Sequence, residues 1–362
     1  MTLRLTTAGE SHGPGLVAIV SGLPAGLMLD RAEIDADLAR RQQGYGRSPR
    51  QQLEQDAVEV LAGLRHGRTL GTPLALVVRN RDHANWEWGM SPWPPEGEAT
   101  GKGSKPVTLP RPGHADLAGS LKFGLADARD ALERASARQT AVAVAAGSAT
   151  KALLAQIGIE VEGRVVTEGL ERRIDDARSQ RDTVGGVVEV VARGVPPGLG
   201  SYASKEERLD GRLAAALMGI QAVKGVEVGA GFELAERRGS EVHDEILADG
   251  QSDLYRETNF AGGIEGGVSN GEDLVVRAAM KPLPTLMRPL RSVDLDTGEA
   301  GEALVERSDV AAVEALAVVA ETAVAFELAR AAREKFGGDA LGDFVGAYRS
   351  YLDRIDWQPR TR

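Results

Sequence analysis

Residues 310–326, VAAVEALAVVAETAVAF, decide what kind of chain this is. The run is the most membrane-like in the sequence, but Glu314 and Glu321 interrupt it seven residues apart, on one helix face. It reads as a buried core helix with one wet stripe, part of a helix over 310–335 that stops at Gly337 and Gly338. A second long helix is expected over 137–156, opened by Ser136 with Gln139 closing a reciprocal cap and stopped by Gly158. A third, over 31–41, opens at Asp30 with Glu33 three residues on and ends in arginines. Around these helices lie short β-rich runs at 16–20, 58–61, 74–78, 187–191, 226–234 and 274–278, most of them bounded by glycine or proline. Several antiparallel strands and an α+β fold follow. No linker rich in Pro, Gly or Ser divides the chain and no repeat recurs at a fixed period, so residues 1–362 read as a single domain. Within it, the tryptophan- and proline-bearing segment 86–106 is expected to be a mobile loop and 357–362 a polar tail.

Composition narrows the function classes. The formal net charge of −10 repels nucleic acid and anionic lipid, so an anionic ligand needs a local basic pocket. With only 4% aromatic residues and no stacking motif beside the arginines of 40–50, an RNA-binding module is disfavoured. The absence of cysteine removes thiolate chemistry and cysteine-held metals and fits a reducing compartment. The first residues, MTLRLTTAGESHG, hold no apolar core of a secretory signal. No metal site, nucleic-acid partner or membrane partner is expected.

Six segments can carry chemistry. In GESHGPG (9–15), glycines permit close backbone approach while Ser11 and His12 present polar groups, although these residues alone favour an exposed turn histidine. Arg40, Arg41, Arg47 and Arg50 fall within eleven residues; the first two suit a helix C-terminus, whereas the loop pair suits carboxylate or phosphate. In RPGHAD (111–116), Pro112 and Gly113 make a turn that sets His114 between Arg111 and Asp116, a tunable acid–base group or an Asp-oriented structural histidine. In ERASARQTA (133–141), Arg138 in a first helical turn opposes the helix dipole and needs a carboxylate or ligand. The glycine-rich run 262–271, followed by KPLPT (281–285), lacks the Walker pattern and a surrounding βαβ unit. In ERSD (306–309), Asp309 reads as a possible N-cap of the last long helix. His66, His83 and His243 read as surface residues.

Taken in order, GESHGPG, ARRQQGYGR, RPGHADLAG, RASARQTA, AAGSATK, GGVVEVV, PPGLGS, GGIEGGVSNG, KPLPT and ERSD resemble the chorismate synthases over residues 6–336. The resemblance implies a β-α-β sandwich of antiparallel sheets around core helices, a homotetramer and a cytoplasmic enzyme of aromatic amino acid biosynthesis. It implies a 1,4-anti elimination of phosphate from 5-enolpyruvylshikimate 3-phosphate that needs reduced FMN without net redox change, with NADPH or a separate reductase as the source of electrons. Site roles follow from it residue by residue. His12 would stand beside the leaving phosphate, His114 would face the flavin, and Asp309 would help move the C6 proton. Substrate would be bound by Ser11, Arg41, Arg47, Arg50, Arg111, Arg138 and Arg307. Flavin contacts would come from Arg134, Ala135, Ser136, Gln221, Ala222, Gly266, Lys281, Pro282, Leu283, Pro284, Thr285 and Arg307. Three positions depart from the family pattern: Ala135 for a second serine, Gln139 for glutamate and Gln221 for asparagine.

Overall fold

Alternation of apolar side chains builds two four-stranded sheets. The computed structural model describes residues 2–48, 55–248, 254–306 and 308–357. Strands β1 (Arg4–Ala8), β2 (Gly15–Ser21), β3 (Val58–Ala62) and β4 (Leu74–Arg79) pair antiparallel in the order β1-β2-β4-β3. Leu16, Ala18 and Val20 lie opposite Val78, Leu76 and Leu74 and are buried with them, which fixes the register by keeping one face apolar. Strands β5 (Glu160–Val165), β6 (Gly186–Arg193), β7 (Val223–Val228) and β8 (Leu274–Met280) form the second sheet, also antiparallel, in the order β5-β6-β8-β7. Its inward face is made by Val188, Val190 and Ala192 opposite Ala278, Val276 and Leu274.

Eight α-helices of at least eight residues are present among the described residues: α1 (Arg31–Gln42), α2 (Asp116–Phe123), α3 (Ala128–Ala135), α4 (Thr140–Ala155), α5 (Leu170–Ser179), α6 (Leu209–Met218), α7 (Val313–Phe336) and α8 (Leu341–Ile355). α4 packs on β2 and β4, α7 packs on β5 and β6, and the two helices pack on each other. A helix with a sheet on one side and a helix on the other must be apolar nearly all round. Their alanine- and valine-rich sequences meet that demand. Small residues set the spacing: a Cβ on Gly147 of α4 would lie 2.4 Å from Thr322 Cβ, and one on Gly163 of β5 would lie 2.3 Å from Ala317 O. The architecture is the expected α+β sandwich of antiparallel sheets around core helices. No helix among the described residues is long and apolar enough to cross a membrane.

The wet stripe on α7 is corrected by the structure. Glu321 is 1% exposed and accepts from Arg40 at 2.8 and 3.0 Å, from Lys151 at 2.6 Å and from Gly163 N at 2.9 Å. Lys151 also reaches Asp37, which takes the Ser148 hydroxyl at 2.7 Å, so α1, α4 and α7 share one charged knot. Glu314 instead accepts the Tyr45 N–H at 2.9 Å. Burial works against the charge on both Asp37 and Glu321, but hydrogen bonds, those from Arg40 among them, and the Lys151 charge outweigh it and hold both carboxyls below their usual range. A depressed carboxyl contributes stability that is complete above its unfolded value and is lost as pH falls through the folded one. The melting temperature of the native chain should therefore fall below about pH 4, and the gap between it and Glu321→Gln should narrow there. A gap constant from pH 7 to pH 3 contradicts this account.

Three other expectations change. Residues Ala137–Gln139 form a 3₁₀ turn before α4. Ser136 caps that turn, accepting from Arg138 N at 3.3 Å, while Gln139 leaves the cap and its side-chain amide donates to Gly9 O. The strand expected over 226–234 ends at Val228, because Gly229 and Gly231 turn the chain into a 3₁₀ segment, Gly231–Glu236. Asp309 does not cap the last long helix, which starts at Val313 after Ala312.

Candidate active site

A cavity of about 230 Å³ opens where the loops after β1, α1 and α3 meet the segments following β8. Ser11, His12, Arg41, Arg47, Arg111, His114, Ser136, Arg138, Gln221, Ala222, Leu283, Pro284, Thr285 and Asp309 all line it. These residues come from seven separated stretches of sequence, and the fold brings them together.

The loop 9–15 is held from below by α3. The Ser11 N–H donates to Glu133 O at 3.1 Å, and the His12 N–H donates to the Glu133 carboxylate at 2.8 Å. The same carboxylate lies 2.8 and 3.0 Å from His12 Nδ1. Trp86 stacks on the imidazole, with ring centroids 4.0 Å apart. Asn80 donates to Glu10 O and Gly13 O and takes Arg138 Nε at 2.8 Å, which couples this loop to the arginine wall. His12 is thus buried and fixed; the exposed-turn reading does not describe it.

The arginine wall is built around Asp56. Its carboxylate meets Arg138 Nη1 at 2.7 Å and Arg41 Nη1 at 3.3 Å, so Arg138 has the carboxylate that its place in a helix's first turn demands. Arg41 also donates to Thr140 Oγ1 at 2.8 Å and to Ala137 O at 3.2 Å. Burial, aided by the nearby Arg138 and Arg47 charges, lowers the Arg41 guanidinium to about 9 against the pull of Asp56. An anion in the cavity would relieve that strain. Arg47 pairs with Asp309 at 2.9 Å, and Asp309 also takes the Ser48 N–H at 2.6 Å. Arg47 Nε is buried with no hydrogen-bond partner among the described residues.

The third cluster comes from the 111–116 turn. His114 N donates to Arg111 O at 3.3 Å across Pro112 and Gly113, and Gly113 holds φ +81°, where a type II turn needs glycine. Arg111 donates to the fully buried Asp116 from its N–H at 3.0 Å and from Nε at 2.9 Å, and to Thr285 Oγ1 at 2.8 Å. His114 Nδ1 makes a short hydrogen bond to Asp116. Burial pushes the Asp116 carboxyl up, but the His114 and Arg111 bonds pull it further down, far below the usual range.

Some expected flavin contacts lie elsewhere in this chain. Arg134 reaches Thr7 O at 3.1 Å on the exposed side of α3, and Ala135 ends that helix without lining the cavity. Gly266 occupies the turn between the short strands Ile264–Glu265 and Val268–Ser269. Lys281 Nζ donates to Gly113 O, joining the end of β8 to the His114 turn, while Pro282 lines a separate groove on the second sheet. Arg50 and Arg307 fall outside the described residues.

Asp56, Asn80, Trp86, Glu133 and Glu306 join the site without having been singled out. Asp56 and Asn80 carry no local signal. Glu133 does: a carboxylate in the last turn of a helix opposes the dipole and needs a partner, but α3 is too short for its period to mark it. His83, half-buried, places Nδ1 2.9 Å from His12 O, whereas His66 and His243 are exposed as expected.

The family model for chorismate synthase matches residues 3–171 and 165–332. Curated proteins named chorismate synthase from Desulforudis audaxviator and Symbiobacterium thermophilum are each 53% identical over 98% of this chain, covering 98% and 99% of their own lengths. A solved structure titled "Crystal Structure of Chorismate Synthase" superposes with a TM-score of 0.77 at 36% identity, covering 98% of both chains. The chain belongs to the chorismate synthase family.

Proposed function

We propose that this protein converts 5-enolpyruvylshikimate 3-phosphate to chorismate and inorganic phosphate by a 1,4-anti elimination that needs reduced FMN. The observation that carries this reading is the gathering of Arg41, Arg47, Arg111 and Arg138 with His12 and His114 around one cavity in a chain of net charge −10. A substrate with a phosphate and two carboxylates matches that concentration of forked donors. Loss of phosphate from C3 and of a proton from C6 leaves one new ring double bond, so the atoms balance without an oxidant.

The lining of the cavity also supports a flavin. Beside the arginines its lining is apolar, with Leu132, Ile220, Leu283, Leu316 and Val319, which suits a flat ring system. Ala222 holds φ +69°, a left-handed backbone that a non-glycine residue adopts at a cost and that clusters at ligand sites. Gln221, Ala222, Leu283, Pro284 and Thr285 would hold the group, with Ser136 near it. Reduced FMN, when bound, supplies the electron-rich partner that lets phosphate leave without net oxidation. The arginines bind and orient the anionic groups, and their fixed charges stabilise the negative charge that grows on the departing phosphate. His12 donates a proton to that phosphate. Asp309, anchored by Arg47 and the Ser48 N–H, is a carboxylate on this wall able to receive a proton. Anaerobic incubation with substrate and reduced FMN should release phosphate and chorismate together, and omission of the flavin should abolish both. Release of neither with the flavin present contradicts the reading.

A further inference from the structure

We propose that Glu133 is the positioning residue of His12, fixing which ring nitrogen carries the exchangeable proton; this rests on the reading of His12 as the proton donor above. Glu133 is 1% exposed and lies in the last turn of α3, where the dipole disfavours a carboxylate, so its placement is held by its partners. One of its oxygens takes the His12 backbone N–H at 2.8 Å, and the carboxylate as a whole embraces Nδ1 at 2.8 and 3.0 Å. A carboxylate only accepts, so Nδ1 must carry hydrogen. Acid–base exchange with a ligand is thereby assigned to Nε2, which gives its proton from the doubly protonated ring and leaves the neutral Nδ1–H form on Glu133. Arg129 lies 3.7 Å from Glu133 and 5.0 Å from the Trp86 ring, and Trp86 covers the imidazole face, its indole N–H held by Asp82 at 3.0 Å. His83 is on the His12 carbonyl. The tryptophan of the long segment after β4 and the carboxylate of α3 therefore grip one ring from two directions.

The substitution Glu133→Gln has a defined consequence. The His12 N–H requires the amide oxygen, which turns the amide NH₂ toward Nδ1. Nδ1 then faces that NH₂ at the shorter of its two contacts, 2.8 against 3.0 Å, which favours an accepting Nδ1 and a neutral ring with its hydrogen on Nε2. Ring-nitrogen NMR of ¹⁵N-histidine protein, with His12 assigned by the signal lost in His12→Ala, reads this directly near about pH 8.5, above the ordinary histidine range. The native protein should show the Nδ1–H form and Glu133→Gln the Nε2–H form, with kcat lower by about 10²-fold or more and KM changed much less. Glu133→Asp keeps the charge and should restore the Nδ1–H form with kcat between the two. An unchanged tautomer in a folded Glu133→Gln protein, or a changed tautomer with unchanged kcat, overturns the proposal. The tautomer is read without substrate or flavin, so it decides the role of Glu133 even where the native chain releases no chorismate, an outcome that would instead sink the proposed reaction.

Discussion

His12→Ala should lower kcat by about 10²–10⁴-fold, the usual contribution of a positioned acid–base group, while KM moves far less. The reason lies in what the ring touches. His12 is held by Glu133 and Trp86, and the arginines proposed to grip the anionic groups are anchored on Asp56, Asp309 and Asp116. Truncating the ring leaves that wall in place, so ground-state binding survives while the proton is lost. His114→Ala should show the same split, because Arg111 keeps its bonds to Asp116 and Thr285 when the ring is removed. Steady-state kinetics under anaerobic conditions with reduced FMN checks both. Unchanged turnover in either variant removes that histidine from the mechanism, and a KM rise equal to the kcat loss reassigns it to binding.

Arg111→Met should cost about 3 kcal/mol of stability and raise KM as well. Asp116 is completely buried, and Arg111 supplies two side-chain bonds to it, at 2.9 and 3.2 Å. Removing the guanidinium leaves a carboxylate with the Arg111 N–H and His114 alone. The Asp116 carboxyl is depressed in the native fold, so the stability it contributes is present above the ordinary carboxyl range and disappears in acid. The difference between native and Arg111→Met proteins should be largest near neutrality and shrink below about pH 4. Urea unfolding at several pH values measures it. A difference under about 1 kcal/mol at pH 7 would show that the buried carboxylate does not depend on this arginine.

What the sequence disclosed follows from how long each signal ran. The strands at 16–20, 74–78 and 274–278 were legible because one face is apolar at every second residue, and α7 because it is apolar nearly throughout. β1, RLTTA, gave only a weak signal because it is an edge strand with no buried residue. α2 escaped because Leu117, Leu121 and Phe123 face outward and leave no inward stripe to read. Glu321 was misread because periodicity gives a residue's direction but not what stands there; Lys151 and Arg40 meet it from other helices. The site shows the same division. His12, His114 and the arginines stand in compact motifs, whereas Asp56, Glu133 and Trp86 reach them only through folding. Gln139, which was expected to cap a helix, ties the His12 loop to α4 instead.

The proposed elimination at this cavity uses a reduced flavin without consuming it. The most direct test is the stoichiometry of a single anaerobic reaction, following phosphate, chorismate and the flavin spectrum in one sample. The account predicts phosphate and chorismate in equal amounts, with the flavin as reduced at the end as at the start. Phosphate without chorismate, or oxidation of one flavin for each product formed, would contradict it.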